Sequence, residues 1–142
     1  MLAVLGLATA LGLWWRSRDG RVRVAPGRTS AADRLNAADL GVPLGARATY
    51  LQLSSEHCTA CRRTQRVLED VARSVPGVVH LEVDVAQRMD LVRRFDVLRT
   101  PTVLVLDAEG RVAARASGAM ARAQALAALD TTADRLTREG SS

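Results

Sequence analysis

Two cysteines, Cys58 and Cys61, are the residues of this sequence whose type and spacing most clearly indicate chemistry. They are the only cysteines of the chain, and Thr59 and Ala60 separate them. A scaffold stapled by disulfides needs more cysteines, spread along the chain, so a pair this close indicates a redox or a metal site. The pair follows a predicted strand and opens a predicted helix. A helix N-terminus favours the thiolate, which is the reactive form of cysteine.

The spacing assigns different roles to the two sulfurs in a redox site. Cys58, at the exposed start of the helix, is predicted to attack a substrate disulfide, and Cys61, one turn further in, to resolve the mixed disulfide. The pair could instead be two buried small residues without chemistry, or it could bind a soft ion such as Cu(I) with His57 as a third ligand. Structural zinc requires four ligands, and His80 is the only other histidine. No cofactor is therefore expected beyond the redox-active disulfide itself.

The elements that must position these cysteines follow from hydrophobic periodicity. The pattern predicts the order β-α-β-α-β-β-α, after a short extended piece and one helical turn at 35–40. Crossovers through helices predict parallel pairing of the first strands, and the tight turn at 107–110 predicts an antiparallel final pair. The fold class is α/β, with a mixed sheet and helices on both faces. The predicted strands are 48–53, 78–85, 102–106 and 111–116, and the predicted helices are 58–73, 87–95 and 121–136.

A second feature is Pro101, which directly precedes the apolar strand and follows Thr100. Proline removes a donor from the hydrogen-bond ladder of a sheet. It is tolerated there when the prolyl bond is cis and the neighbouring backbone is kept free for another partner. The alternative is a simple proline at the start of a strand.

With these motifs in place, residues from about Leu35 to Leu129 resemble the thioredoxin family. The matching features are Cys58-x-x-Cys61, the pair Thr100-Pro101 some forty residues later, and Ser117-Gly118-Ala119 at the entry to the last helix. Each feature alone is weak, but their order and spacing together are specific to this family.

The resemblance implies how a substrate binds. It implies that Pro101 is cis and faces the cysteines. It also implies that the backbone around Thr100, Gly118 and Ala119 forms a groove in which an extended substrate segment docks as an added strand.

The departures from the family pattern concern proton transfer. Thioredoxins carry Trp-Cys-Gly-Pro-Cys, whereas His57 precedes the first cysteine here and Thr-Ala separates the pair. The buried acid of the family falls at Gln52 and its partner lysine at Glu82. Because an amide cannot accept a proton, we expect Glu82, water or the substrate thiolate to take the proton of the resolving cysteine, with Glu56 and His57 as further candidates. His57 is either an imidazolium that stabilises the thiolate or an exposed loop residue.

The N-terminal segment predicts a membrane anchor. Residues 2–15 contain no charge, end in Trp14-Trp15 and are followed by arginines. A signal peptide and a buried core helix fit less well, because no basic residue precedes the apolar run and its end resembles a membrane interface. The predicted organisation is an anchor helix at 1–15, an Arg/Gly/Pro linker at 16–34, a thioredoxin-like domain at 35–136 and a polar tail at 137–142.

Charge bears on localisation and partners. All 20 basic residues are arginine, which indicates a GC-rich bacterial genome, and the net charge is +5. The arginines directly after the anchor place the domain in the cytoplasm by the positive-inside rule. No basic stripe interleaved with aromatic residues is present, so nucleic-acid binding is not expected. We expect a monomer that contacts the membrane through Leu2–Trp15.

Together these observations predict a membrane-tethered thiol–disulfide oxidoreductase, more specifically a disulfide reductase. Its expected partners are protein disulfides and an upstream thiol reductant. The alternatives are a copper-handling module that uses Cys58, Cys61 and His57, and a non-catalytic peptide-binding module of the same fold.

Overall fold

The computed structural model describes residues 2–18, 21–24 and 33–139. The predicted elements of the domain are all present, with ends shifted by one to three residues, and the short helical turn near residue 40 is confirmed. Most of the predicted linker and the end of the predicted tail lie outside the described residues. The helices are α1 (Leu2–Arg18), α2 (Ala37–Leu40), α3 (Thr59–Ser74), α4 (Met89–Arg94) and α5 (Arg122–Glu139), and the strands are β1 (Val22–Val24), β2 (Ala48–Ser54), β3 (Val78–Asp84), β4 (Thr102–Asp107) and β5 (Val112–Ser117).

The five strands form one mixed sheet in the order β1-β5-β4-β2-β3. Strands β2 and β3 are parallel, and β5 is antiparallel to β4, as the sequence predicts. The prediction that β4 is parallel to β2 is wrong. β4 is antiparallel to β2, with Leu53 opposite Thr102. The physical reason is the length of α4. Its six residues advance only about 9 Å, so the helix cannot carry the chain back along a strand of about 23 Å.

Two apolar clusters pack on opposite faces of the sheet, so the prediction of helices on both faces is confirmed. On one face, Tyr50 and Val105 of the sheet pack with Leu68 of α3 and Leu129 of α5. The cluster on the other face includes side chains of α2 and α4, with Leu51, Leu104, Leu35, Leu40, Leu91 and Phe95. This arrangement follows from the alternation of side chains along each strand.

Strand β1 is a difference from the prediction, because it lies within the segment interpreted as a linker. Val22 pairs with Ala116 and Val24 with Ala114, which makes β1 the edge strand beside β5. The sequence Arg-Val-Arg-Val alternates with the period of a strand. Three residues are too few for this periodicity to stand out from an Arg-rich linker.

The N-terminal segment is helical, as predicted, and its side chains from Ala3 to Trp15 are exposed. The prediction of a membrane-spanning anchor is not supported. Among residues 2–18, 21–24 and 33–139, no helix combines the length and the apolar character needed to cross a bilayer.

Candidate active site

The cysteine pair lies where β2 ends and α3 begins. Cys58 occupies the N-cap position of α3, in extended conformation, and its sulfur accepts a hydrogen bond from the backbone N–H of Cys61 at 3.1 Å. This contact places the sulfur of Cys58 against the free N–H groups of the first helical turn, where partial positive charge favours a thiolate. Arg62 and Arg63 follow on the exposed side of the same turn and add to this positive potential.

Cys58 and Cys61 form a disulfide with their Cα atoms 5.2 Å apart. The two sulfurs differ in access. The Cys58 residue is half-buried, whereas Cys61 is 2% exposed. An attacking protein thiol can therefore approach Cys58 but not Cys61, which is the asymmetry that the roles of nucleophile and resolving cysteine require.

A buried polar network lies beneath Cys61 and is organised by Gln52 of β2, which has no exposed surface. The amide nitrogen of Gln52 donates to the backbone carbonyl of Cys61 and to the hydroxyl of Ser54, both at 2.9 Å. A longer contact of 3.4 Å joins the same nitrogen to a carboxylate oxygen of Glu82. Gln52 thus fixes the backbone of the resolving cysteine without offering a proton acceptor of its own.

His80 of β3 completes this network, with its Nε2 3.0 Å from the carbonyl oxygen of the Gln52 side chain. The carbonyl of Cys61 can only accept, so it fixes the orientation of the Gln52 amide, and Nε2 of His80 must carry the proton. Burial lowers the pKa of His80 below its usual value, and this effect outweighs the nearby carboxylates of Glu69 and Glu82, which raise the pKa. His80 is therefore neutral at pH 7, in the Nε2–H tautomer.

The loop before β4 meets the cysteine loop at Thr100. The hydroxyl groups of Thr100 and Ser55 are 3.1 Å apart and share a hydrogen bond. The Thr100–Pro101 peptide bond is cis, as the resemblance implied. The backbone N–H of Gly118 donates to the carbonyl of Pro101 at 2.8 Å, so three loops meet at one end of the sheet. Thr100, Pro101 and Gly118 are thereby held beside the segment that leads into Cys58.

The loop that contains Ala119 is fixed to the helix of the cysteines. The backbone N–H of Met120 donates to the hydroxyl of Thr64 in α3 at 3.1 Å, and Thr64 is fully buried. Gly118 has a φ of 95°, a conformation that favours glycine. The predicted docking residues therefore lie together, with Thr100 and Ala119 partly exposed and Pro101 and Gly118 buried.

The geometry gives less support to a role for His57, and to the metal-binding alternative, than to the cysteine pair. His57 is exposed in the loop directly before Cys58. In the part of the chain that the structure describes, no three side chains of histidine, cysteine, aspartate or glutamate form a group that could hold a metal ion. The copper-binding set of Cys58, Cys61 and His57 is thus not assembled in this disulfide-bonded state.

Comparison with known proteins identifies the family. A family model described as a thioredoxin-like domain matches residues 43–133. The chain belongs to the thioredoxin-like domain family. The expectation drawn from the cysteine, proline and glycine motifs is therefore confirmed, and this family membership together with the Cys58–Cys61 disulfide supports thiol–disulfide oxidoreductase chemistry.

Two relatives illustrate the range of this family. The thiol:disulfide interchange protein DsbD of Yersinia pestis is 33% identical over 91 residues, which are 58% of this chain and 15% of that protein. Thioredoxin H5 of Oryza sativa subsp. japonica is 30% identical over 60 residues, 42% of this chain and 44% of that protein. The chain thus spans less than half of each of these relatives.

Solved thioredoxin structures share the fold of this thioredoxin-like domain. Chloroplastic thioredoxin z superposes with a TM-score of 0.56 at 21% identity, over 63% of this chain and 80% of that one. Fasciola hepatica thioredoxin superposes with a TM-score of 0.52 at 23% identity, over 61% and 81%. At this level of identity the likeness concerns the fold alone.

Sequence reasoning missed one residue of this site, His80. A signal was available, since the family resemblance places Gln52 and Glu82 at partner positions on neighbouring strands and His80 lies two residues before Glu82, on the same face of its strand. The contact became visible only once the pairing of β2 with β3 was known.

Proposed function

We propose that this thioredoxin-like protein is a disulfide reductase that transfers two electrons from an upstream thiol reductant to protein disulfides. The observation that carries the proposal is the disulfide between an accessible Cys58 at a helix N-terminus and a buried Cys61, assembled beside the loop of Thr100 and Pro101. The backbone around Thr100 and Ala119 is the docking groove that the family resemblance implies. This groove gives the accessible sulfur of Cys58 a place to meet an extended substrate segment.

The reaction begins with the reduced pair. The thiolate of Cys58 attacks one sulfur of the substrate disulfide, an S–S bond forms between them, and the other substrate sulfur leaves as a thiolate that takes up a proton. Cys61 then loses its proton, attacks the sulfur of Cys58 and releases the second substrate thiol. The substrate gains two electrons, and the Cys58–Cys61 disulfide forms. A dithiol reductant returns the pair to its starting state by the same exchange.

The proton of Cys61 needs an acceptor, and Gln52 is not one. We propose that the departing substrate thiolate or water accepts it, with Glu82 next in line through its 3.4 Å contact with Gln52. The Gln52 side chain contributes by holding the Cys61 backbone in place rather than by titrating. No cofactor is required beyond the disulfide itself.

Reduction of insulin disulfides in the presence of dithiothreitol, followed by turbidity, tests the proposal. The full chain is expected to accelerate precipitation, and Cys58→Ser is expected to abolish the acceleration. Full activity in Cys58→Ser would instead favour a peptide-binding module without catalysis. The copper alternative predicts tight Cu(I) binding by the reduced chain that is lost in His57→Ala, and unchanged affinity in that variant would remove it.

We propose further that the domain works in the cytoplasm, where thiol reductants that return the pair to its dithiol state are present. The test is to label a cysteine introduced by Ser142→Cys in intact cells with a thiol reagent that does not cross membranes. Protection from the reagent is expected, and labelling from outside would overturn this placement.

A further inference from the structure

A basic cavity of about 670 Å³ lies at the β1–β5 edge of the sheet, on the face that carries α4. Its walls include four arginines, one carboxylate and an apolar side chain: Arg21, Arg23, Arg99, Arg115, Asp96 and Leu98. We call this set the arginine pocket. We propose that the arginine pocket binds an acidic stretch of the protein partner whose disulfide Cys58 exchanges, a proposal that rests on the proposed function and specifies its substrate class.

The first argument is position. The register places Ser117 opposite Thr102 and Thr102 opposite Leu53, so the pocket end of β5 lies at the same end of the sheet as the cysteine loop. Arg99 donates from its guanidinium to the carbonyl of Ser117 at 2.8 Å. The next residue, Thr100, is bonded to the loop that leads into Cys58. The arginine pocket therefore lies at the same end of the sheet as the proposed docking groove and is linked to it through Arg99 and Thr100.

The second argument is charge. Arg23 is directly opposite Arg115 in the antiparallel pair of β1 and β5. Like charges directly opposite each other destabilise a sheet. Arg21, two residues before Arg23, faces the same side and adds a further cation. Among the described residues that line the pocket, the guanidinium groups of Arg21, Arg23 and Arg115 outnumber the single carboxylate, that of Asp96, and an anionic ligand would offset this excess of positive charge.

The third argument is preorganisation. The guanidinium group of Arg115 donates to the backbone carbonyls of Phe95 and Asp96, the latter at 2.9 Å. These carbonyls fix the position of the group but leave its charge unneutralised. A guanidinium group held in this way loses less rotamer freedom when it binds a carboxylate, whose two oxygens match its geometry.

The size and the rim of the pocket favour a peptide segment as the occupant. A single inorganic anion fills only a small part of 670 Å³. Leu98 in the wall is 84% exposed and offers an apolar contact that a free anion cannot use. A substrate that docks as an added strand advances about 3.3 Å per residue, so acidic side chains beyond its cysteine would extend from the docking groove into the pocket.

The test compares two disulfide peptides that differ only in having Glu or Gln at the third to fifth positions beyond the cysteine, where an added strand has advanced about 10–16 Å. The full chain at low salt is expected to reduce the Glu peptide with a kcat/KM about tenfold higher than that of the Gln peptide, because two or more arginines contribute. The double variant Arg21→Gln/Arg23→Gln is expected to bring this ratio close to one. The matched control is Arg66→Gln/Arg93→Gln, which removes the same charge from exposed sites outside the pocket and should keep the ratio.

Equal kcat/KM values for the two peptides with the unchanged chain would overturn the proposal that the arginine pocket binds an acidic segment. The same fall in the kcat/KM ratio in both double variants would also overturn it. A cysteine-free Glu peptide provides a readout that does not depend on exchange, by fluorescence anisotropy with the oxidised chain. Binding that disappears only in Arg21→Gln/Arg23→Gln supports the pocket even if neither disulfide peptide is reduced, a result that would count against the proposed function alone. Absence of peptide binding, together with pocket-dependent binding of inorganic phosphate or of phosphatidylserine vesicles, would contradict a protein partner.

Discussion

Replacing Gln52 with leucine tests how the site is held together. Gln52 is fully buried and makes three hydrogen bonds of 3.0 Å or less, to Ser54, the Cys61 carbonyl and His80. Leucine has a similar volume but provides no partner. The Ser54 hydroxyl can rotate, the half-buried His80 ring can reach water, and the Cys61 carbonyl keeps its helical bond to the N–H of Gln65, so the cost is the net loss of three hydrogen bonds. At about 0.5–1.5 kcal/mol net for each of these three bonds, the variant should lose about 2–4 kcal/mol of stability.

The measurement is the free energy of unfolding of the oxidised chain in guanidinium chloride, with the Cys58–Cys61 disulfide intact in both proteins. The matched control is Gln65→Leu in α3, which removes one hydrogen bond to Glu69 at a half-exposed position. That variant should cost less than about 1 kcal/mol. Equal costs for the two variants, or a Gln52→Leu protein as stable as the unchanged chain, would refute the argument that the network supports the resolving cysteine.

Three further predictions concern the reaction, the pH dependence and the core. Cys61→Ser is expected to trap a mixed disulfide between Cys58 and substrate, visible on non-reducing gels, and rapid release would contradict the resolving role. Because burial holds the pKa of folded His80 below its usual 6.5, the unfolded chain binds the extra proton, and stability should fall as pH drops below about 6.5. Denaturation at several pH values should show a flatter decline in His80→Gln and an unchanged decline in the control variant His57→Gln, whose residue is exposed. The opposite pattern would mean that His80 does not cause the decline. Tyr50→Phe removes a buried hydroxyl that donates to a carbonyl of α5 at 2.6 Å. The free energy of unfolding should fall by about 1 kcal/mol, and an unchanged value would mean that this hydrogen bond makes no net contribution to stability.

The order of the elements and the cysteine site were predictable because their signals are local. Alternating or continuous apolar runs identify β3 and β4, and the helical period identifies α3. The strand-to-helix placement of Cys58 gives the chemistry a physical reason before any fold is known. The cis bond before Pro101 followed from the family resemblance, which itself depended on the order and spacing of three weak motifs.

Features that depend on partners distant in sequence were not predictable in the same way. The direction of β4 depends on how far α4 carries the chain, and its length was overestimated by three residues. β1 is a strand because β5 offers it an edge, so the Arg-Val alternation alone did not identify it. His80 joins Gln52 only through the register of β2 and β3, and the arginine pocket joins residues 21–23 to residues 96–117.

The reduction potential of the Cys58–Cys61 pair in the full chain tests the central claim most directly. It is obtained by equilibrating the protein with defined ratios of reduced and oxidised dithiothreitol or glutathione and counting free thiols. A disulfide reductase predicts a value close to the roughly −270 mV of thioredoxin. A value near about −120 mV would make the pair an oxidant and contradict the proposed direction, and a pair that forms no reversible disulfide would contradict thiol–disulfide exchange itself.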